Sequence, residues 1–189
     1  LGTMEAFASF KLPTALPLFR EELPDVQLHI ETDTSAALVK KVLSHQLDVA
    51  IVGGIVDHED LIAKEVLKEE LVLVRAKNAD PQQALILFKH GCAYRASALN
   101  WMRAQGLQNY GLMELNTLDG ILGCVSIGLG VTLMPLSLIK DSQHKNQLTW
   151  EKLPAEVADV STLLIRHRKN QLEPILNTLE ASFKERLIS

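Results

Sequence analysis

A chain of 189 residues, 47% hydrophobic and 22% charged, has the composition of a globular protein rather than of a disordered one. Its net charge of −4, from 23 acidic and 19 basic residues, excludes the basic face that grips a phosphate backbone, and 5% aromatic residues are too few for the stacking platforms that read single strands. Only Cys92 and Cys124 occur, so no disulfide framework holds the fold and a reducing compartment is expected; the longest apolar stretch, 120–138, is broken by Gly123, Ser126, Gly128, Gly130, Thr132 and Pro135 and makes a poor membrane span.

The opening Leu1-Gly2-Thr3-Met4 has neither an initiator Met nor a signal pattern, which suggests a segment of something longer. Region 5–23 is helical but carries Pro13 and Pro17, so a kink or two pieces are expected. Val26, Leu28 and Ile30 alternate with polar residues, which predicts a strand over 26–32. In 35–46 the residues Leu38, Val39, Val42 and Leu43 share one helical stripe, and 48–53 is an unbroken apolar run suited to a parallel strand buried on both faces. Together they form a strand-helix-strand unit with a parallel crossover.

Apolar runs at 71–74, 85–88, 131–133 and 160–165 alternate with helical stretches at 97–105 and 118–128, and a last helix places Leu172, Ile175, Leu176, Leu179, Phe183 and Leu187 at spacings of three and four. Such alternation means an α/β protein. Polar stretches at 76–81 and 154–159 are the best boundaries. They divide the chain into a discontinuous lobe of 1–76 plus 159–189 and an inserted lobe of 77–158, that is, two Rossmann-like lobes joined by two crossovers with a cleft between them.

No nucleophile-and-base arrangement for hydrolysis is recognisable. His90-Gly91-Cys92 supplies two ligand types without a second pair, so no metal and no cofactor are expected. Cys124 reads as a small packed hydrophobe. The glycines of Ile127-Gly128-Leu129-Gly130-Val131 follow a helix and precede a strand, the reverse of a dinucleotide loop, and fit a helix terminus in a left-handed conformation. Arg166-His167-Arg168-Lys169 reads as a solvated turn. A distributed signal remains: short polar loops open helices at Thr3-Met4-Glu5, Thr32-Asp33-Thr34-Ser35, Cys92-Ala93-Tyr94-Arg95 and Asn116-Thr117, each offering backbone N–H groups where an open α/β sheet gathers ligands. Taken singly they are ordinary N-caps, Asn116 with Asp119 three residues on among them.

Three segments in order, Leu12-Pro13 through Phe19-Arg20 to Leu23-Pro24-Asp25-Val26, then Leu47-Asp48-Val49-Ala50-Ile51-Val52, then Ile127 through Gly128, Gly130 and Thr132 to Pro135, make the whole chain resemble the effector-binding domain of LysR-type transcriptional regulators. Gly2-Thr3-Met4-Glu5 and Gly91-Cys92-Ala93-Tyr94-Arg95 resemble a subgroup with Ser in place of Thr3 and Ala93. The resemblance implies a type 2 periplasmic-binding-protein fold and a cytoplasmic module that senses a small molecule without catalysis. It implies DNA contact only through an N-terminal helix-turn-helix domain absent from this chain, and no membrane partner. It also implies a homodimer, and a higher oligomer in the full-length protein, in which the helix near 15–23 of one chain meets the helix near 118–129 of the other, with Leu16, Phe19 and Ile121 as contacts. The expected effector is a carboxylate or zwitterion held by Thr3, Met4, Glu5, Thr34 and Ser35 on one lobe and Cys92, Tyr94, Arg95, Asn116 and Thr117 on the other, Arg95 gripping a carboxylate and Glu5 an ammonium. A periplasmic solute-binding protein for uptake is the alternative, and an enzyme on the same fold a more distant one.

Overall fold

The computed structural model describes residues 1–78, 84–107 and 110–187, with side chains as far as Lys184. In chain order the elements are β1 (Gly2–Thr3), α1 (Glu5–Phe10), α2 (Leu12–Glu22), β2 (Glu31–Thr32), α3 (Ser35–Leu43), β3 (Val49–Gly53), β4 (Leu61–Ala76), β5 (Ala84–Phe88) and α4 (Ala93–Ala104). There follow β6 (Gly111–Leu115), α5 (Leu118–Ser126), β7 (Thr132–Pro135), α6 (Leu136–Asp141), β8 (Leu148–Lys152), α7 (Ala155–Ala158), β9 (Asp159–His167) and α8 (Glu173–Leu187).

Contacts divide the chain into a first unit of Leu1–Lys68 with Ser161–Ser189 and a second unit of Glu69–Val160. These boundaries differ from the polar stretches at 76–81 and 154–159, because the chain changes unit inside β4 and β9, whose continuous pairing carries no loop signal. Residues 79–81 of the first stretch lie outside the described residues.

In the first unit the strand order is β2-β1-β3-β9-β4. Every residue of β3 is buried, and strand alternation sends Val49 and Ile51 into one core and Ala50 and Val52 into another. The first core is completed by Phe7, Leu12, Ala15 and Phe19 from α1 and α2 and by Leu176, Leu179 and Phe183 from α8. The Phe7 and Phe183 rings meet edge to face with centroids 5.5 Å apart. Leu38 and Val42 of α3 close the second. The Lys64 ammonium donates to Glu180 at 2.6 Å and so ties β4 to α8. Burial opposes ionisation of Glu180, yet hydrogen bonds from Lys184 and Lys64 outweigh it and hold the carboxyl below its usual range.

Several expectations change here. β3 is parallel to β1 but antiparallel to β9, so the sheet is mixed. Of 26–32 only Glu31–Thr32 is strand, because its partner β1 is itself two residues long; Val26 and Leu28 still pack on the first core, whereas Ile30 is 43% exposed. The helical region 5–23 breaks at Lys11 rather than at a proline, since Pro13 lies in the first turn of α2, where no N–H is needed, and α2 continues through Pro17.

In the second unit β4 lies between β7 and β8, antiparallel to both. β5 and β6 form a parallel pair, and a parallel bridge joins Leu85 to Val131 at the start of β7. Leu85, Leu87, Val131 and Leu133 pack with Ala98 of α4 and Val157 of α7. α5 ends where Gly128 takes φ 80°, its N–H bonded to the Val125 carbonyl and that of Leu129 to the Cys124 carbonyl, the double closure of a Schellman motif. Gly130 is needed for a different reason: a Cβ there would lie 2.7 Å from the Ala84 carbonyl oxygen and 2.9 Å from Ile86 Cγ1. That carbonyl also accepts the Val131 N–H at 2.9 Å and cannot retreat without breaking the bridge. Gly130→Ala is therefore expected to destabilise the chain by about 1–3 kcal/mol, as overpacking does, read as a lowered denaturant midpoint at unchanged slope.

Candidate functional site

In the first unit β1 runs parallel to β2 and to β3, so the three strands end at one edge of the sheet. Thr3, Met4 and Glu5 lead from β1 into α1, and Asp33, Thr34 and Ser35 lead from β2 into α3. The two connections are joined by the Asp33 N–H, which donates to the Thr3 carbonyl at 3.1 Å. Thr34 is the N-cap of α3, its Oγ1 accepting from the Ala37 N–H at 3.4 Å, while its own N–H donates to Asp33 Oδ1 at 2.8 Å. Ser35 Oγ accepts the Gly53 N–H at 3.0 Å and binds the end of β3 to the first turn of α3. The Ser35 and Ala36 N–H groups precede the first intrahelical bond and have no intrahelical acceptor.

Charge at this edge is arranged around Lys41, whose ammonium lies 2.7 Å from Glu31 Oε1 and 3.1 Å from Asp33 Oδ2. Those two hydrogen bonds raise the Lys41 pKa above its ordinary value. Asp33 is thereby balanced beside the positive end of the α3 dipole. Glu5 sits in the first turn of α1 and accepts from Ser9 Oγ at 3.3 Å.

The second unit has an edge of the same kind. Parallel pairing of β5 with β6 brings Phe88 and Leu115, the last residues of both strands, side by side. Arg95 spans the pair, with Nη1 donating to the Phe88 carbonyl at 2.7 Å and to Glu114 Oε2 at 2.8 Å. Its Nε is buried without a partner. Cys92 is the N-cap of α4 but makes no side-chain cap bond. Tyr94 is buried, and its hydroxyl donates to Glu69 Oε2 at 2.7 Å. Burial first, then Glu69 and Cys92, pushes the phenol well above its usual range, so it stays a neutral donor.

Thr117, and not Asn116, caps α5, with Oγ1 accepting the Gly120 N–H at 3.2 Å. Asn116 pairing with Asp119 as a cap is thus overturned: Asp119 is engaged by Gln143 Nε2 at 2.7 Å and His144 Nε2 at 3.0 Å. Those partners, Gln143 first, hold its carboxyl below the ordinary range.

The expected residues therefore separate by role. Thr34, Asn116 and Thr117 have accessible polar groups beside first-turn donors. Thr3, Met4, Ser35 and Tyr94 are buried in their own units, and the hydroxyls of Ser35 and Tyr94 are engaged there. Arg95 is in an ion pair with Glu114. Of the expected interface residues, Phe19 and Ile121 are 0% exposed. A side chain with no accessible surface cannot touch a partner, so both are core residues. Leu16 does reach the surface, in an open groove with Pro13, Pro17, Arg20 and Glu21. Sequence reasoning placed Asp33 in the loop before α3 but missed Gly53, Lys41, Glu69 and Glu114, since each matters through a bond to a residue well away in sequence.

Among the described residues no group of three or more His, Cys, Asp or Glu side chains could hold a metal ion, and no helix is long and apolar enough to cross a membrane. The buried bonds make a prediction: Ser35→Ala removes the hydroxyl that accepts the Gly53 N–H and Tyr94→Phe removes the hydroxyl that donates to Glu69, so each is expected to cost about 1–3 kcal/mol of stability in denaturant titrations.

The model of the LysR substrate binding domain matches residues 1–188. The chain is 32% identical over 185 residues to the HTH-type transcriptional regulator GltR of Bacillus subtilis (strain 168), covering 94% of this chain and 62% of that protein. It is 33% identical over 190 residues to SoxR of Arthrobacter sp. (strain TE1826), covering 95% and 65%. The chain thus spans less than two thirds of the length of these relatives, which are named as transcriptional regulators and not as enzymes or uptake proteins.

Among solved structures, the sulfate-bound E204G regulatory domain of OxyR2 from Vibrio vulnificus superposes with TM-score 0.82 at 18% identity, over 97% of this chain and 93% of that one. The reduced OxyR regulatory domain from Pseudomonas aeruginosa gives 0.78 at 16% identity, over 100% and 95%. At such identity the likeness establishes the fold. With the family model matched from the first residue to the last but one, the chain belongs to the LysR substrate binding domain family.

Proposed function

We propose that this chain is the effector-sensing domain of a cytoplasmic LysR-type transcriptional regulator, taking a small organic acid or an amino-acid-like molecule and reaching DNA only through a helix-turn-helix domain outside these residues. The observation that carries the reading is the strand-end edge of the first unit, where the α3 N-terminus offers the Ser35 and Ala36 N–H groups beside the Thr34 hydroxyl. Backbone donors at the positive end of a helix dipole suit a carboxylate.

Thr34 is the primary anchor in the first unit; in the second unit, Asn116, Thr117 and the first turn of α4 are the candidate contacts at its own strand-end edge. Thr3, Ser35 and Tyr94 support these loops from beneath. A ligand carboxylate that recruits Arg95 competes with Glu114 for its guanidinium, which makes Arg95 the switchable member of the set. Glu5 is the partner for a ligand ammonium. The effector acts by population shift, favouring one conformer by its differential affinity, an effect commonly worth about 1–3 kcal/mol. The regulator works as a homodimer, and as a higher oligomer when intact, with the Leu16 groove of α2 as the contact in this unit. No catalytic group and no cofactor enter the reading.

A thermal-shift screen of small mono- and dicarboxylates and amino acids tests it. A true effector at 100 times its Kd contributes about 2.7 kcal/mol, a rise of roughly 5–10 °C for a chain of this size. Thr34→Val is expected to reduce the rise and Arg95→Ala to change its ligand preference. A carboxylate whose shift survives both substitutions unchanged removes these residues from the site. Leu16→Glu is expected to lower the mass seen by light scattering from dimer to monomer.

A further inference from the structure

At the end of the first unit remote from these donors, β9 closes on His167, and the basic run 166–169, expected as a solvated turn, does place Arg168 and Lys169 in an exposed turn but is also densely bonded. The Asn170 N–H donates to the His167 carbonyl at 2.9 Å, and the Lys169 N–H donates to His167 Nδ1 at 3.1 Å. Asn170 Nδ2 donates to the Asp48 carbonyl at 2.9 Å, just before β3, and its Oδ1 accepts the Leu172 N–H at 2.8 Å, just before α8. The Arg168 N–H donates to the Asp60 carbonyl at 2.7 Å and its Nε to that of Glu59 at 2.9 Å. One turn therefore fastens β9, α8, the start of β3 and the segment before β4.

The His167 ring, 6% exposed, packs on His45 with centroids 4.1 Å apart. His45 is the one non-glycine at positive φ among the described residues, at 56°. It stands directly after the Ser44 cap of α3, where its N–H bonds the Val42 carbonyl and that of Gln46 bonds the Lys41 carbonyl. This is the same double closure that Gly128 makes after α5, built here on a residue with a side chain. A left-handed residue with a side chain is uncommon outside Asn, Asp and His, and here its ring is packed against a second one.

The titratable or charged groups facing His167 are His45 from the α3–β3 connection, His58 and Asp60 from the segment before β4, and Lys169 from its own turn. Lys169 is a cation, His45 and His58 are imidazoles, and Asp60 alone is acidic. The lone pair that would accept a proton is the one already accepting the Lys169 N–H.

We propose that His45 and His167 form an acid-released latch, in which a solvent proton taken up by His167 Nδ1 expels the Lys169 N–H and opens the 167–170 turn that binds α8 and β3 into the first unit. Burial first, then His45, holds the His167 imidazole below its ordinary pKa, with Asp60 opposing and Lys169 and His58 adding. A neutral ring in the fold and a protonating one in the unfolded chain means that the unfolded state binds more protons as pH falls. Stability is then level above about 6.5, the unfolded value, and declines as pH falls from there toward the folded value. Glu180 and Asp119, whose carboxyls sit below their ordinary values, titrate beneath that window.

The test is the melting temperature of the chain at pH 7.5 and 5.5, for wild type and for His167→Asn. An Asn side chain accepts the N–H two residues on, as in an Asx turn, and does not titrate. Wild type is expected to lose about 2–4 °C on acidification, the shift typical of a modest stability change in a chain of this length, and the variant less than half of that. In NMR the His167 ring should titrate below the ordinary value, with the Lys169 amide moving at the same midpoint. Equal losses in wild type and variant, or a His167 midpoint at or above the ordinary value, overturn the latch. If His167→Asn does not fold, His45→Asn serves instead, since Asn tolerates the left-handed backbone: a smaller acid loss than wild type supports the latch and an undiminished loss overturns it.

Discussion

Burial of β3 on both faces is the constraint from which the first unit follows. Five consecutive residues with no accessible face require helices above and below the sheet, α1, α2 and α8 on the Val49–Ile51 side and α3 on the Ala50–Val52 side. A helix reaching the far side of a sheet between parallel strands is a crossover, and crossovers align strand ends. The edge at Thr3, Thr32 and Gly53 is thus a consequence of core packing. It exists whether or not a ligand comes to it.

An edge of that kind gathers unsatisfied backbone groups, and the chain answers them unequally. The Gly53 N–H is closed by Ser35 and the Thr34 N–H by Asp33, while the next N–H groups of α3, those of Ser35 and Ala36, have no intrahelical acceptor. In the second unit Arg95 covers the Phe88 carbonyl and Thr117 the Gly120 N–H. A buried unpaired donor is costly and an accessible one is not. The inner bonds therefore set the rigidity of each edge, and the outer donors its chemistry. Arg95 belongs to both groups, since it is bonded by one nitrogen and has another buried without a partner.

The two helix termini at Gly128 and His45 show how one backbone solution serves two ends. Glycine takes the left-handed position after α5 with no steric conflict. Histidine takes the same position after α3 with its ring packed on that of His167, which is itself held by the bonds of the 167–170 turn. A helix terminus is thereby joined by ring packing to a turn far along the chain.

Local periodicity made most elements legible. The apolar run at 48–53, the stripe of Leu38, Val39, Val42 and Leu43, and the spacing of Leu172 to Phe183 each carry their own geometry, and the glycine after α5 announced a left-handed terminus. The end-to-end resemblance identified the family, because its three segments are punctuation of the fold itself. Other features depended on pairing across distance. Changes of unit inside β4 and β9 leave no composition signal, and Ile30 alternates correctly yet outruns its two-residue partner. Phe19 and Ile121 have the residue types of an interface and the burial of a core. Ser35 meets Gly53 across 18 residues, Tyr94 meets Glu69 across 25, and Asn170 meets Asp48 across 122. Dihedral preference and side-chain period are properties of neighbouring residues and can be read from their order, whereas which donor meets which acceptor is decided only once the strands have their register.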